Sequence, residues 1–212
     1  MLKQLSIATL ILAALAQLLS PSLAAEIPVG RFSASDLSGW SDKAAKGKTS
    51  YTLEHAVLKA HSVQAASGKI RALSVDTRIY PRLSWSWRID RVLKGEDIGK
   101  KSGDDFVSRI YVLFPRTFFW RMRAINYVWA ARMPKGSEAP SPYTANSVIV
   151  AVESGDEKAG KWVFEERNIY QDYKRIFGEE PPLLGGIAIM TDTDDTRDEA
   201  TAWYGDITLH TP

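Results

Sequence analysis

The chain contains no cysteine among its 212 residues, so disulfides, thiolate metal sites, a cysteine nucleophile and an N-terminal lipid-bearing cysteine are all excluded. Histidine is nearly as scarce. His55, His61 and His210 are scattered, without the paired spacing that a zinc or iron site needs. Charge of one sign is lacking too: 27 Lys and Arg face 25 Asp and Glu, a net of +2, so no global field draws in nucleic acid. The G-x-S-x-G elbow, H-E-x-x-H, the P-loop and the Gly-rich dinucleotide turn do not occur, which removes the usual support for common hydrolases, zincins and nucleotide enzymes. After the N-terminus, no apolar run is long enough to cross a bilayer core, which takes about 20 residues.

What is present begins with a layout for export. Lys3 precedes the apolar run Leu5 to Leu19, broken only by Ser6, Thr9 and Gln17, and Pro21 then ends it. Ser22-Leu23-Ala24 supplies small residues at the spacing a signal peptidase reads, with a cut after Ala25 as the neighbouring option. The expectation is a signal peptide over residues 1–25, a single domain over 26–212, and a periplasmic or secreted address.

Strand signals dominate the remainder. Leu83 to Asp90 alternates strictly, placing Leu83, Trp85, Trp87 and Ile89 on one face. Similar runs cover Tyr51–Leu53, Val57–Val63, Ile70–Ile79, Phe106–Phe114, Ser147–Glu153, Trp162–Arg167, Gly186–Thr191 and Ala200–Leu209. Many short strands with polar connections predict a mostly-β chain, an antiparallel, jelly-roll-like β-sandwich with one or two short helices. One helix is expected over Asn168–Phe177, with Asn168 as its N-cap and Gly178 at its C-cap. Thr117–Ile125 reads either as a second helical face, built on Phe118, Phe119, Met122 and Ile125, or as an aromatic loop. Met133–Pro142, with three prolines and Gly136, reads as a surface loop.

Several polar residues stand where a sandwich needs an explanation for them. Asp104 and Asp105 open a strand whose one face carries Asp105, Val107, Arg109, Tyr111 and Leu113. Arg109, on a largely apolar strand, needs a carboxylate or a ligand to receive its planar fork. The loop Asp192 to Glu199 packs five carboxylates into eight residues, including Asp192 and Asp194. It offers oxygen to a hard cation such as Ca²⁺ but is no EF-hand: Arg197 stands at the glycine position and Trp203 at that of the bidentate glutamate. A plain hydrogen-bonded turn is the alternative. Arg167 and Asp172 flank the predicted helix start, and Arg88 lies on the polar face of the tryptophan strand.

Gly103-Asp104-Asp105-Phe106 running to Arg109-Ile110-Tyr111-Val112, Arg167-Asn168 with Asp172-Tyr173, Phe177-Gly178, and Met190-Thr191-Asp192-Thr193-Asp194 through Tyr204-Gly205-Asp206-Ile207 resemble a family of exported bacterial proteins known only as a domain of unknown function. The likeness runs from about Phe32 to the end. In style it is similar to jelly-roll modules that bind carbohydrate and close on a strand such as that ending in Asp206-Ile207, which implies a fold but no activity.

Together these features lead to an exported, non-catalytic domain that binds a glycan or another polar envelope ligand through Arg88, Asp104, Asp105, Arg109, Arg167, Asp172, Asp192 and Asp194. Ca²⁺ is the one cofactor admitted, and nucleic acid and a membrane span in the mature chain are not expected. Two other readings stay open: a glycoside hydrolase or lyase pairing Asp104 or Asp105 with Asp192 or Asp194, and a structural or partner-binding envelope protein.

Overall fold

The computed structural model describes residues 25–212, and residues 1–24, which hold all but the last position of the signal peptide expected over 1–25, lie outside them. Among the described residues thirteen strands form two sheets. The six-stranded sheet holds β1 (Glu26–Gly30), β3 (Ser50–Glu54), β4 (Val57–Val63), β6 (Arg82–Ile89), β11 (Val163–Asn168) and β13 (Glu199–His210). The seven-stranded sheet runs in the order β2 (Trp40–Lys46), β5 (Ala66–Val75), β12 (Leu184–Asp192), β7 (Arg109–Phe114), β8 (Arg123–Ala130), β10 (Ser147–Ser154), β9 (Glu138–Pro140). The chain passes repeatedly from one sheet to the other, as at β4–β5–β6–β7 and β10–β11–β12–β13, which is the winding of a jelly-roll-like sandwich. All pairings are antiparallel except β8 with β10.

The alternation read from the sequence sets the inner faces. In β6 every second residue is buried, and Leu83, Trp85, Trp87 and Ile89 point inward as expected. Trp85 meets Trp87 edge-on at 5.4 Å and stacks on Tyr127 of β8 at 5.6 Å, while Trp87 lies 6.1 Å from Trp129. These rings join the two sheets, and each is sealed from solvent.

The expected helix is α1 (Ile169–Phe177). Asn168 caps it by accepting a hydrogen bond from the Gln171 amide at 2.9 Å. Gly178 ends it at φ 69°, a left-handed position that a side chain would strain.

Of the two readings of Thr117–Ile125, the aromatic loop holds up to Met122: a 3-10 turn at Phe119–Arg121 leads straight into β8, where Ile125 is core, while Phe118, Trp120 and Met122 are exposed. Other segments depart from expectation. Strand β8 escaped the periodicity because both of its faces are covered, so polar residues do not alternate along it. The proline-rich loop contains the short edge strand β9, and β5 begins and ends four residues earlier than read, its place after Val75 taken by a turn on Asp76.

The segment between β6 and β7 lies over part of the outer face of the seven-stranded sheet. There Phe106 and Ile98 pack with Val128, Ala130, Ile149 and Ala151 in a second apolar cluster. Glu96 pins this cover by accepting a 2.7 Å hydrogen bond from the Ala131 amide. Burial pushes the Glu96 carboxyl up to about 7 from an ordinary 4.5. Its stabilising, protonated form is therefore complete below pH 4.5 and lost as pH rises through 7. Glu96→Gln, which keeps the acceptor, should raise unfolding free energy by about 1–3 kcal/mol at pH 8 and change it little at pH 4, as read by urea titration.

Candidate ligand-binding site

Beside that cover, the outer face of the seven-stranded sheet stays open as a pocket of about 410 Å³. Its position follows from register. Across the sheet Gly186, Leu113, Ala124 and Ser147 stand in one row, and Ala188, Tyr111, Asn126 and Ile149 in the next. Small residues in these rows, Ala124 and Ser147 among those lining the pocket, leave a trough. Longer groups rise around it: Arg109 and Tyr111 from β7, Met190 and Asp192 from β12, and Tyr143, Asp104, Asp194 and Asp195 from the surrounding loops.

Arg109 is the anchor. Its side chain is only 2% exposed, and it forms a bidentate pair with Asp192, with Nε donating to Oδ1 at 2.9 Å. The same guanidinium donates to the Asp104 carbonyl at 2.6 Å and to the Tyr111 hydroxyl at 2.9 Å, and lies 3.5 Å from the Asp104 carboxylate. Phe106 covers it, 4.8 Å from ring centre to guanidinium carbon. Desolvation is the largest influence and works against this charge, but the combined attraction of Asp192, Tyr111 and Asp104 with the Asp192 hydrogen bonds outweighs it and holds Arg109 above its ordinary pKa. Burial pushes the Asp192 carboxyl up to about 7 against the pull of Arg109. Burial also raises Asp104, helped by repulsion from Asp105 and Asp195, and lifts the Tyr111 hydroxyl to about 12.

One polar atom in the floor lacks a partner: Asn126 is 2% exposed and its Oδ1 accepts no hydrogen bond. Oδ1 of Asp104 keeps only the ion-pair contact to Arg109 Nη1 at 3.5 Å. Buried polar atoms are normally satisfied, so acceptors left open in a pocket mark where a donor belongs.

Of the eight residues singled out in the sequence, Asp104, Arg109, Asp192 and Asp194 line this one pocket. Asp105 sits behind the wall, fully buried, with Oδ2 accepting from the Thr196 amide at 2.6 Å and its hydroxyl at 2.7 Å. Arg88, Arg167 and Asp172 lie elsewhere. Arg88 is on the outer face of the other sheet, 4.0 Å from the Trp203 ring centre and 5.5 Å from that of Trp162. Arg167 pairs with Asp172 at 2.7 and 2.9 Å, and Asp172 also receives the Tyr127 hydroxyl at 2.6 Å and Arg175 at 2.7 Å. Because Tyr127 follows Asn126 along β8, it points inward, and this ion pair fastens α1 to the core rather than facing the pocket.

Asn126 and Tyr143 were not singled out in the sequence. A lone Asn inside the apolar run Arg123–Ala130 is the signal for the first. The second sits just past the proline-rich loop and donates its hydroxyl to Asp195 at 2.8 Å.

The molecule is thus a jelly-roll-like β-sandwich carrying a polar pocket on the outer face of one sheet. Residues 38–208 match the family described as "Protein of unknown function (DUF3047)", and the chain belongs to that family. No curated protein matches it. Among solved structures, the chain is similar to the family 11 carbohydrate-binding module of the cellulosomal cellulase Lic26A-Cel5E of Clostridium thermocellum, at 10% identity and TM-score 0.48, covering 90% of this chain and 97% of that one. It is also similar to an endo-1,4-β-xylanase from Trichoderma reesei, at 8% identity, TM-score 0.46 and coverage of 79% and 96%. A third is the xylan-binding module CBM15, at 8% identity, TM-score 0.41 and coverage of 89% and 97%.

Proposed function

We propose that this protein is an exported, non-catalytic binding domain whose pocket over β7, β8 and β12 takes a glycan or a similarly hydroxyl-rich envelope ligand. The observation that carries the reading is the convergence of the open acceptor Asn126 Oδ1 with the Asp104 carboxylate, Arg109, Tyr111 and Tyr143 around one trough. Sugars present hydroxyl donors at their edges and C–H faces to aromatic rings, which suits acceptors beside tyrosines. The wall is rich in carboxylates, with Asp104, Asp192, Asp194 and Asp195 all lining the pocket, so an anionic ligand would be repelled and a neutral one tolerated. Export rests on the N-terminal pattern of residues 1–25.

A glycan array, followed by calorimetric titration of the oligosaccharides that bind, tests this reading. Asn126→Ala, which deletes an open acceptor and no existing side-chain bond, should weaken binding at least tenfold, about 1.4 kcal/mol, with the melting temperature little changed. A blank array would remove the glycan reading. A hydrolase keeps one foothold, since Asp104 and Asp194 border the same pocket and glycosidases act with paired carboxyl groups. Release of new reducing ends from a bound oligosaccharide would decide for it and against a non-catalytic domain.

A further inference from the structure

The pocket wall contains a second constellation. One carboxylate oxygen each from Asp105, Asp194 and Asp195 lies within 4.8 Å of the others, although Asp105 comes from the segment before β7 and the other two from the β12–β13 loop. Asp105 is fully buried. Thr196 occupies its Oδ2 and the Asp195 amide lies near the carboxylate, while Oδ1 is buried and accepts no hydrogen bond of ordinary geometry. Little countercharge meets the cluster. Lys46 Nζ stands 3.3 Å from Asp194 Oδ2 on a side chain 65% exposed, Tyr143 donates to Asp195, and Arg109 is committed to Asp192 and Asp104.

Three carboxylates so placed repel one another, and an orphaned buried carboxylate oxygen is costly. A cation removes both penalties. Calcium accepts six to eight oxygens at about 2.3–2.6 Å, so oxygens sharing one ion stand up to about 5 Å apart, the spread seen here. Magnesium is less suited, because it demands near-ideal octahedral geometry at shorter distances. We propose that Asp105, Asp194 and Asp195 bind one calcium ion, which ties the segment before β7 to the β12–β13 loop and fixes that wall of the pocket. Water or backbone carbonyls complete the shell.

The test uses the full folded chain, stripped with EDTA and titrated calorimetrically with CaCl₂ in the absence of any saccharide, so its outcome is independent of the pocket's ligand. One saturable site is expected, with a melting temperature that rises in calcium, falls back on adding EDTA, and responds at least tenfold less to MgCl₂. Asp194→Asn and Asp195→Asn alter partly exposed side chains and should each weaken calcium at least tenfold with an unchanged circular dichroism spectrum. Asp105→Asn should do the same, and the two loop variants carry the test if it fails to fold. Absence of saturable calcium binding by the wild-type chain, or wild-type affinity in both loop variants, would overturn the proposal.

Discussion

Replacing Arg109 with methionine is expected to cost about 3–5 kcal/mol of unfolding free energy, the penalty for stranding a buried carboxylate. Asp192, 4% exposed at its side chain, would lose both bonds of the bidentate pair and keep only the Phe106 amide at 3.2 Å. The loss should depend on pH in a defined direction. Burial already raises the Asp192 carboxyl to about 7, and removing the guanidinium raises it further. A carboxyl whose folded pKa is raised stabilises the fold below its unfolded value and ceases to do so as pH climbs through the folded one. The variant should therefore be most impaired above pH 7 and recover part of its stability toward pH 4. Arg109→Met combined with Asp192→Asn removes both charges and keeps an acceptor for Phe106, so it should be more stable than Arg109→Met alone at pH 8. A double-mutant cycle from urea titrations, with a coupling of about 2–3 kcal/mol, would establish the pair as the anchor of the wall. Additive single effects would show that it is not.

Trp87→Ala is expected to cost a similar amount, about 3–5 kcal/mol, for a different reason. Trp87 has no exposed surface, lies 5.4 Å from Trp85 and 6.1 Å from Trp129, and so joins the two sheets through aromatic packing. Its removal leaves a cavity lined by rings from both sheets, which neighbouring strands cannot close without losing register. This loss should be nearly flat between pH 5 and 8, unlike that of Arg109→Met, because no charge is stranded. Thermal unfolding followed by near-ultraviolet circular dichroism would report it directly, and a loss under about 1 kcal/mol would show that the sheets repack freely around the gap.

These two residues also mark how far the sequence can be read. Trp87 was legible because β6 is half-buried: its outer residues are polar, the period of two is clean, and the inward face follows from it. The cap at Asn168 and the glycine at Gly178 were legible because helix ends are settled within a few residues of chain. Arg109 was legible as a problem, a charge on an apolar strand, but not its solution. Asp192 lies 83 residues away and becomes its partner only because β7 and β12 are neighbours with Met190 opposite Arg109.

The site shows the same division more sharply. Arg88, Arg167 and Asp172 have the same chemistry as Arg109 and Asp192, and composition alone cannot rank them. The face of each strand and the order of strands in each sheet send Arg88 to the far side of the sandwich and bind Arg167 to Asp172 at the helix start. Strand β8 and its Asn126 escaped notice because a strand covered on both faces has no polar rhythm.

Local features are therefore written in the chain: the mostly-β character, the inward face of the tryptophan strand, the capped helix and the set of charged residues in need of partners. Which of those residues meet follows from the fold, since pairing across strands depends on sheet order and register, set by packing of the whole core. The fold brought Asp104, Arg109, Asp192 and Asp194 around one trough and placed Asp105 beside Asp194 and Asp195.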